Sequence, residues 1–140
     1  MNVLIDLNVV LDVILQRQPW LGQSQAIWDA NCQGRIRGHL VATSLTNLFY
    51  IARRLVGRDD ARLAVRTCLQ SFLILPVDEV VLQHADALPG TDFEDNVQLA
   101  AAVSSHLDAI VTRDPQGFTG SPVPVLTPTD LLAQLAQGTP

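Results

Sequence analysis

The chain has 140 residues, a net charge of −5 and 48% apolar residues. This length and this apolar fraction predict one folded domain with a proper core and exclude a disordered chain. No apolar run reaches the ~18 residues of a membrane span, and no basic segment precedes the first apolar run, so we predict a cytoplasmic protein without a membrane segment. All nine basic residues are arginines. An acidic chain of this kind would contact nucleic acid only through a local arginine patch.

Short apolar runs alternate with amphipathic segments along the whole chain. The apolar runs predict strands at 3–5, 38–42, 72–77, 109–112 and 122–126. The amphipathic segments predict helices at 7–16, 20–33, 44–56, 59–71, 78–88, 92–106 and 128–136. This alternation favours a central parallel sheet of four to five strands, covered by helices on both faces. We predict a single domain over residues 1–136, followed by a frayed tail at 137–140.

Two of the predicted strands lead directly into an aspartate. Asp6 follows the run 3–5, and Asp114 comes just after the run 109–112. The carboxyl ends of parallel strands meet at one edge of a sheet, where open α/β folds bind ligands. Asp92 and Asp95 begin the helix before the second of these strands. If the two strands are neighbours, three or four carboxylates therefore converge at this edge.

Such a convergence is electrostatically costly unless a cation is present. Two carboxylates ~5 Å apart repel by about 3 kcal/mol at an effective dielectric of ~20, and the chain has no lysine to offset this repulsion. Hard oxygen ligands favour Mg²⁺ or Mn²⁺ over zinc. Asp92 and Asp95 could instead simply cap a helix, and Asp114 before Pro115 could be a turn residue. Asp6 has the weakest alternative, because a carboxylate that closes a buried strand has little structural purpose.

Two further polar residues lie in the apolar first helix. Asn8 is able to cap that helix. Asp12 is a charge in apolar surroundings and needs a partner or water. It is either a structural ion pair with an arginine such as Arg53 or Arg54, or an outer carboxylate near Asp6.

Three stretches together resemble the PIN-domain nucleases, including the VapC-type toxins of bacterial toxin–antitoxin pairs. They are residues 4–12, residues 92–101 from Asp92-Phe93-Glu94-Asp95 to the alanine pair, and residues 110–118 through Thr112-Arg113-Asp114. The resemblance covers essentially the whole chain. It implies a three-layer α/β/α fold and a metal-dependent endoribonuclease, with Asp6, Asp95 and Asp114 binding Mg²⁺ or Mn²⁺. It also implies an RNA substrate, an antitoxin partner and a homodimer.

One position departs from the common PIN pattern, which has a glutamate on the helix after the second strand. Asn47 stands where that acid is expected. It can offer a neutral oxygen, while Asp92 supplies the missing charge as a further metal ligand. Ser44, expected to cap this helix, or Thr46 would orient a water or a phosphate. At the helix end, Tyr50 would stack on RNA beside Arg53 and Arg54, or else Tyr50 is buried in the core.

These features lead to one main hypothesis and two alternatives. The main hypothesis is an endoribonuclease that hydrolyses RNA phosphodiesters and acts as the toxin of a toxin–antitoxin pair. The first alternative, which Asn47 favours, is a PIN-like module that binds RNA or a protein without cleaving. The second is a small phosphatase or phosphotransfer receiver domain, which also uses strand-end aspartates. The absence of lysine disfavours this second alternative, because no such side chain is available to contact a phosphoryl group.

Overall fold

The computed structural model describes residues 1–138. Within them the five strands are Asn2–Ile5 (β1), Arg37–Val41 (β2), Leu73–Leu75 (β3), Ala109–Val111 (β4) and Val125–Leu126 (β5). The seven α-helices of this part of the chain are Leu7–Ile14 (α1), Leu21–Cys32 (α2), Ala42–Val56 (α3), Arg58–Ser71 (α4), Glu79–Ala87 (α5), Phe93–Ser104 (α6) and Pro128–Gln137 (α7). A short 3₁₀ turn at Pro115–Phe118 follows β4.

All the strand pairs in the sheet are parallel, and the strand order is β3-β2-β1-β4-β5. The prediction of a parallel sheet of four to five strands is therefore confirmed. β1 is the central strand, and the chain leaves it on one side towards β2 and returns on the other side as β4. The point between β1 and β4 is the topological switch point, where open α/β sheets bind their ligands.

Alternate residues of the central strands pack into two separate cores. Val3 and Ile5 of β1 join the core formed with α1, α2, α3, α4 and α7. Leu4 points to the opposite face and joins the core formed with α5 and α6. Because successive side chains of a strand point to opposite faces, a strand that is buried on both faces must be apolar throughout. The two cores make the molecule the predicted three-layer α/β/α sandwich.

Several helix ends match the predicted caps. Asp78 accepts a hydrogen bond from the Val81 amide and caps α5. Thr127 and Asp130 form a reciprocal capping box at α7, which satisfies amides that a helix start leaves unpaired. At the other end, α7 continues to Gln137, one residue into the predicted tail, of which residues 139 and 140 lie outside the described part of the chain.

Two predicted caps are wrong. α3 begins at Ala42 with Val41 as its N-cap, so Ser44 lies inside the helix. α1 begins at Leu7 with Asp6 as its N-cap, so Asn8 is its second residue. In both cases the helix starts directly at the end of a strand. The connection from strand to helix is therefore shorter than the positions of the polar residues suggested, and neither N-cap residue makes a side-chain hydrogen bond to its helix. No helix within residues 1–138 combines the length and the apolarity that a membrane crossing requires.

Candidate active site

Asp6 lies at the centre of the candidate site, at the carboxyl end of β1. Only 4% of its surface is exposed. Its Oδ1 accepts a hydrogen bond of 3.1 Å from Gln98 Nε2, and its Oδ2 accepts one of 2.8 Å from Thr112 Oγ1. Both donors are themselves buried. A buried carboxylate is tolerated when it is hydrogen-bonded, and these two donors fix the direction in which Asp6 points.

Thr112 connects Asp6 to the residues after β4. β1 and β4 are neighbours in the sheet, as the convergence of Asp6 and Asp114 requires. Thr112 Oγ1 donates to Asp6 and also accepts a hydrogen bond of 3.0 Å from the Asp114 amide. The backbone at Asp114 is therefore tied to the Asp6 carboxylate through one hydroxyl group.

The acids of α6 face the same edge. Asp92 caps α6 and accepts a 3.1 Å hydrogen bond from the Asp95 amide. Burial raises the pKa of Asp95 to about 7, together with the charges of Asp6, Asp92, Glu94 and Asp114. Burial also raises the pKa of Glu94, as do the charges of Asp6 and Asp92, while a side-chain hydrogen bond with Asn47 lowers it. We call these five acids, Asp6, Asp92, Glu94, Asp95 and Asp114, the acid cluster.

The 3₁₀ turn after Asp114 closes over Asp95. A Cβ atom built on Gly117 would collide with Asp95 Oδ2, so the backbone of the turn and this carboxylate are packed together. A glycine at this position lets the backbone approach the Asp95 side chain this closely, because it carries no Cβ atom. The turn therefore brings the end of β4 against the start of α6 and completes one side of the acid cluster.

Within residues 1–138, no ion pair joins the acid cluster to an arginine. The ion pairs of this part of the chain are Asp12 with Arg17, Asp12 with Arg113, and the exposed pair of Arg58 and Asp59. The guanidinium of Arg113, although next to Asp114 in sequence, binds Asp12 instead. The cluster is thus a concentration of negative charge without a protein cation.

Charge and donor chemistry of the acid cluster fit a hard divalent cation, since such ions prefer carboxylate oxygens. In the described chain, however, no group of three His, Cys, Asp or Glu side chains is arranged to hold an ion. The carboxylates share one edge and one electrostatic field, but they stand as an open arrangement rather than a closed ligand set.

Sequence reasoning missed three residues at this edge: Glu94, Gln98 and Thr112. The sequence carried a signal for Gln98. Residues three and four apart share a helix face, so Gln98 lies on the face of Asp95 and Glu94, and a glutamine within an apolar helix needs a polar partner. Thr112 carried no such signal, because nothing in the local sequence shows that its hydroxyl reaches across to β1.

The polar residues predicted on α3 lie in three different surroundings. Asn47 is partly buried beside Glu94 of the acid cluster. Ser44 is buried, and its Oγ has no hydrogen-bond partner within residues 1–138. Thr46 and Tyr50 line a cavity of about 350 Å³ between α3 and α4. Tyr50 is 54% exposed, so the alternative that placed it in the core is wrong.

Asp12 forms a structural ion pair, as one of the two predictions proposed, but its partners are not Arg53 or Arg54. It is fully buried and binds Arg17 and Arg113. Arg53 and Arg54 are exposed in the last turn of α3, where cations suit the negative end of the helix dipole. Asn8 Oδ1 and its carbonyl accept hydrogen bonds from Arg17 Nη2 at 3.4 and 3.2 Å. Asn8 thus supports Arg17 rather than the helix start.

Comparison with known proteins assigns this chain to one family. The sequence model of the PIN domain family matches residues 2–116. The chain therefore belongs to the PIN domain family, as the three stretches of the sequence indicated. A comparison with curated protein sequences gave no match.

Several solved structures share the fold at low sequence identity. The DNA-bound VapBC complex from Salmonella typhimurium has a chain that is 17% identical, with a TM-score of 0.70, and the match covers 91% of this chain and 98% of that one. VapC20 from Mycobacterium tuberculosis, a toxin that cleaves the sarcin-ricin loop, is 11% identical with a TM-score of 0.68, covering 82% and 92%. FitAcB from Neisseria gonorrhoeae is 22% identical with a TM-score of 0.64, covering 91% and 98%.

Proposed function

We propose that this protein is a metal-dependent endoribonuclease and the toxin of a toxin–antitoxin pair. The observation that carries the proposal is the acid cluster at the switch point of a PIN domain: its carboxylates act on one another electrostatically, and no arginine of residues 1–138 forms an ion pair with them. Chains of similar fold occur in a toxin–antitoxin complex from Klebsiella pneumoniae and in a toxin that cleaves the sarcin-ricin loop. These likenesses support an antitoxin partner and an RNA substrate for this chain.

In this proposal Asp6, Asp95 and Asp114 hold Mg²⁺ or Mn²⁺. A hard divalent cation, when bound, supplies electrostatic stabilisation to a phosphodiester that undergoes hydrolysis. Asp92 supports the site from the start of α6 and is a candidate fourth ligand, and Asn47 contributes a neutral oxygen. Gln98 and Thr112 act through Asp6, because their hydrogen bonds hold its two oxygens in fixed directions.

RNA and protein contacts belong to the same proposal. Arg53 and Arg54 are exposed cations that would hold phosphates, and the exposed ring of Tyr50 would stack on a base. The antitoxin and a second copy of the chain are the proposed protein partners. Several large apolar side chains of α3, α4 and α5 are exposed, among them Leu55 and Val80, and exposed apolar surface of this kind suits protein contacts.

Cleavage of a mixed single-stranded RNA pool tests the activity. The wild-type protein should cleave with Mn²⁺ or Mg²⁺ and stop on addition of EDTA. Asp6→Asn should abolish cleavage, whereas Asp86→Asn, which changes an exposed acid of α5, should cleave like wild type. RNA cleavage that survives both EDTA and Asp6→Asn would refute the proposal.

The alternative function is a PIN-like module that binds RNA without cleaving it. Asn47 and the open arrangement of the carboxylates favour it. Wild-type protein that binds the RNA pool but leaves it intact at saturating Mn²⁺ would establish this alternative.

A further inference from the structure

A second polar network lies beside the acid cluster and is not used in the proposed reaction. Its centre is Asp12, whose carboxylate is fully buried. Asp12 Oδ2 accepts hydrogen bonds from Ser24 Oγ at 3.0 Å and Arg113 Nε at 2.8 Å. Asp12 Oδ1 accepts hydrogen bonds from Arg17 Nε at 3.0 Å and Arg113 Nη2 at 3.1 Å. One buried negative charge therefore holds two arginines, which leaves a net positive charge at this place.

The guanidinium of Arg113 also lies over an aromatic ring. Its central carbon is 3.9 Å from the centroid of the Trp20 ring, within the range of a cation–π interaction. Trp20 precedes α2 and keeps 39% of its surface exposed. The other tryptophan, Trp28, packs edge-on against Phe72 with a centroid distance of 4.9 Å. Trp20 is thus an exposed indole that packs against the Arg113 guanidinium, and Asp12 holds that guanidinium in place.

This network borders the acid cluster directly. Arg113 stands between Thr112, which donates to Asp6, and Asp114. Arg17 binds Asn8, two residues after Asp6. A nucleic-acid strand that reached the acid cluster would meet strong negative charge there, in a protein with a net charge of −5 and no lysine. Cations beside the cluster reduce this repulsion, and an exposed aromatic ring next to them offers a stacking surface.

On the proposed function, we infer that Trp20, Arg17 and Arg113 form a platform that holds single-stranded RNA next to the acid cluster. A base stacks on the exposed surface of the Trp20 ring, and a phosphate lies near the arginine pair. Arginine and aromatic side chains in this combination bind single strands through charge and stacking, with little dependence on base sequence. The platform is separate from Tyr50, Arg53 and Arg54, which lie on α3.

Tryptophan emission offers a direct test, because the chain has two tryptophans. Trp28→Phe leaves Trp20 as the reporter, and Trp20→Phe leaves Trp28. The probe is an unlabelled 12-nucleotide single-stranded RNA of mixed sequence, added in EDTA so that binding is measured without cleavage. RNA should quench the Trp28→Phe protein saturably and leave the emission of the Trp20→Phe protein unchanged. Absence of quenching in the Trp28→Phe protein, at RNA concentrations that saturate wild type in a separate anisotropy assay, would overturn the platform.

Affinity gives the second readout. In anisotropy with labelled RNA, Trp20→Ala should weaken binding roughly 5- to 100-fold, and Trp20→Tyr should restore most of the loss. With an abasic oligomer of equal length, wild type and Trp20→Ala should bind alike. Equal RNA affinities of wild type and a folded Trp20→Ala protein would refute the inference. If a poly-glutamate peptide quenches Trp20 and RNA does not, the platform binds an acidic protein partner instead.

These outcomes are distinct from failure of the proposed function. If the platform is wrong, wild type still cleaves RNA with Mn²⁺ while Trp20 plays no part in binding. If the proposed reaction is wrong, RNA still quenches Trp20 in EDTA, while wild type with Mn²⁺ leaves the RNA intact.

Discussion

Replacement of Asp95 by asparagine should stabilise the metal-free protein at alkaline pH. The Asp95 carboxyl is partly buried among four other acids, and its pKa rises from 3.8 to about 7. An acid whose pKa is higher in the folded state makes the native state less stable when it ionises. This cost is absent below the unfolded pKa, grows as the pH rises, and is complete above about pH 7.

The size of this effect follows from the shift. A difference of about three pKa units corresponds to ~4 kcal/mol at 1.36 kcal/mol per unit. Asp95 remains partly exposed, so solvent screening reduces this upper bound to about 1–2 kcal/mol. Asp95→Asn should therefore raise the free energy of unfolding by about 1–2 kcal/mol at pH 8.5, and by clearly less at pH 5.

Urea denaturation in EDTA at pH 5.0, 6.5 and 8.5 measures this difference. Asp86→Asn is the matched control, because it removes an exposed acid of α5 and its effect should not change over this pH range. Added Mn²⁺ should reverse the order at pH 8.5, since an ion that binds only the native state stabilises wild type by mass action. Equal stabilities of wild type and Asp95→Asn at pH 8.5 in EDTA would refute the reasoning that the acid cluster is a site of uncompensated repulsion.

Three further predictions concern single residues. Asn47→Glu should tighten Mn²⁺ binding measured by calorimetry, and Asn47→Ala should weaken it less than Asp95→Asn does, because a neutral ligand contributes less than a charged one. Unchanged Mn²⁺ affinity in Asn47→Glu would place this side chain outside the site. Asp12→Ala should lower the free energy of unfolding by about 3 kcal/mol, since it leaves Arg113 and its neighbours without their buried partner; a loss below ~1 kcal/mol in urea denaturation would contradict this. Replacement of Arg53 and Arg54 together by alanine should weaken RNA binding in anisotropy and make it less salt-dependent, with Mn²⁺ affinity unchanged; an unchanged RNA affinity would remove α3 from the RNA contact.

The sequence by itself determined the layers of the fold and the ends of its central strands. Apolar runs that alternate with amphipathic segments require a parallel sheet covered on both faces, because a strand buried on two sides has no polar face. The same pattern placed Asp6 at the end of β1 and Asp92 at the start of α6. These are local features, since strand ends and helix caps depend on residues only a few positions apart.

The tertiary structure decided which side chains meet. Gln98 and Thr112 reach Asp6 across 92 and 106 residues of chain, and Arg113 reaches Asp12 across 101. Such contacts depend on β1 and β4 being neighbours at the switch point, and a local sequence pattern carries no information on strand order. For this reason the sequence suggested Arg53 and Arg54 as partners of Asp12. The pair of Asp12 with Arg17 is local, at five residues apart, but only the folded chain brings Arg113 at the end of β4 to the same buried carboxylate.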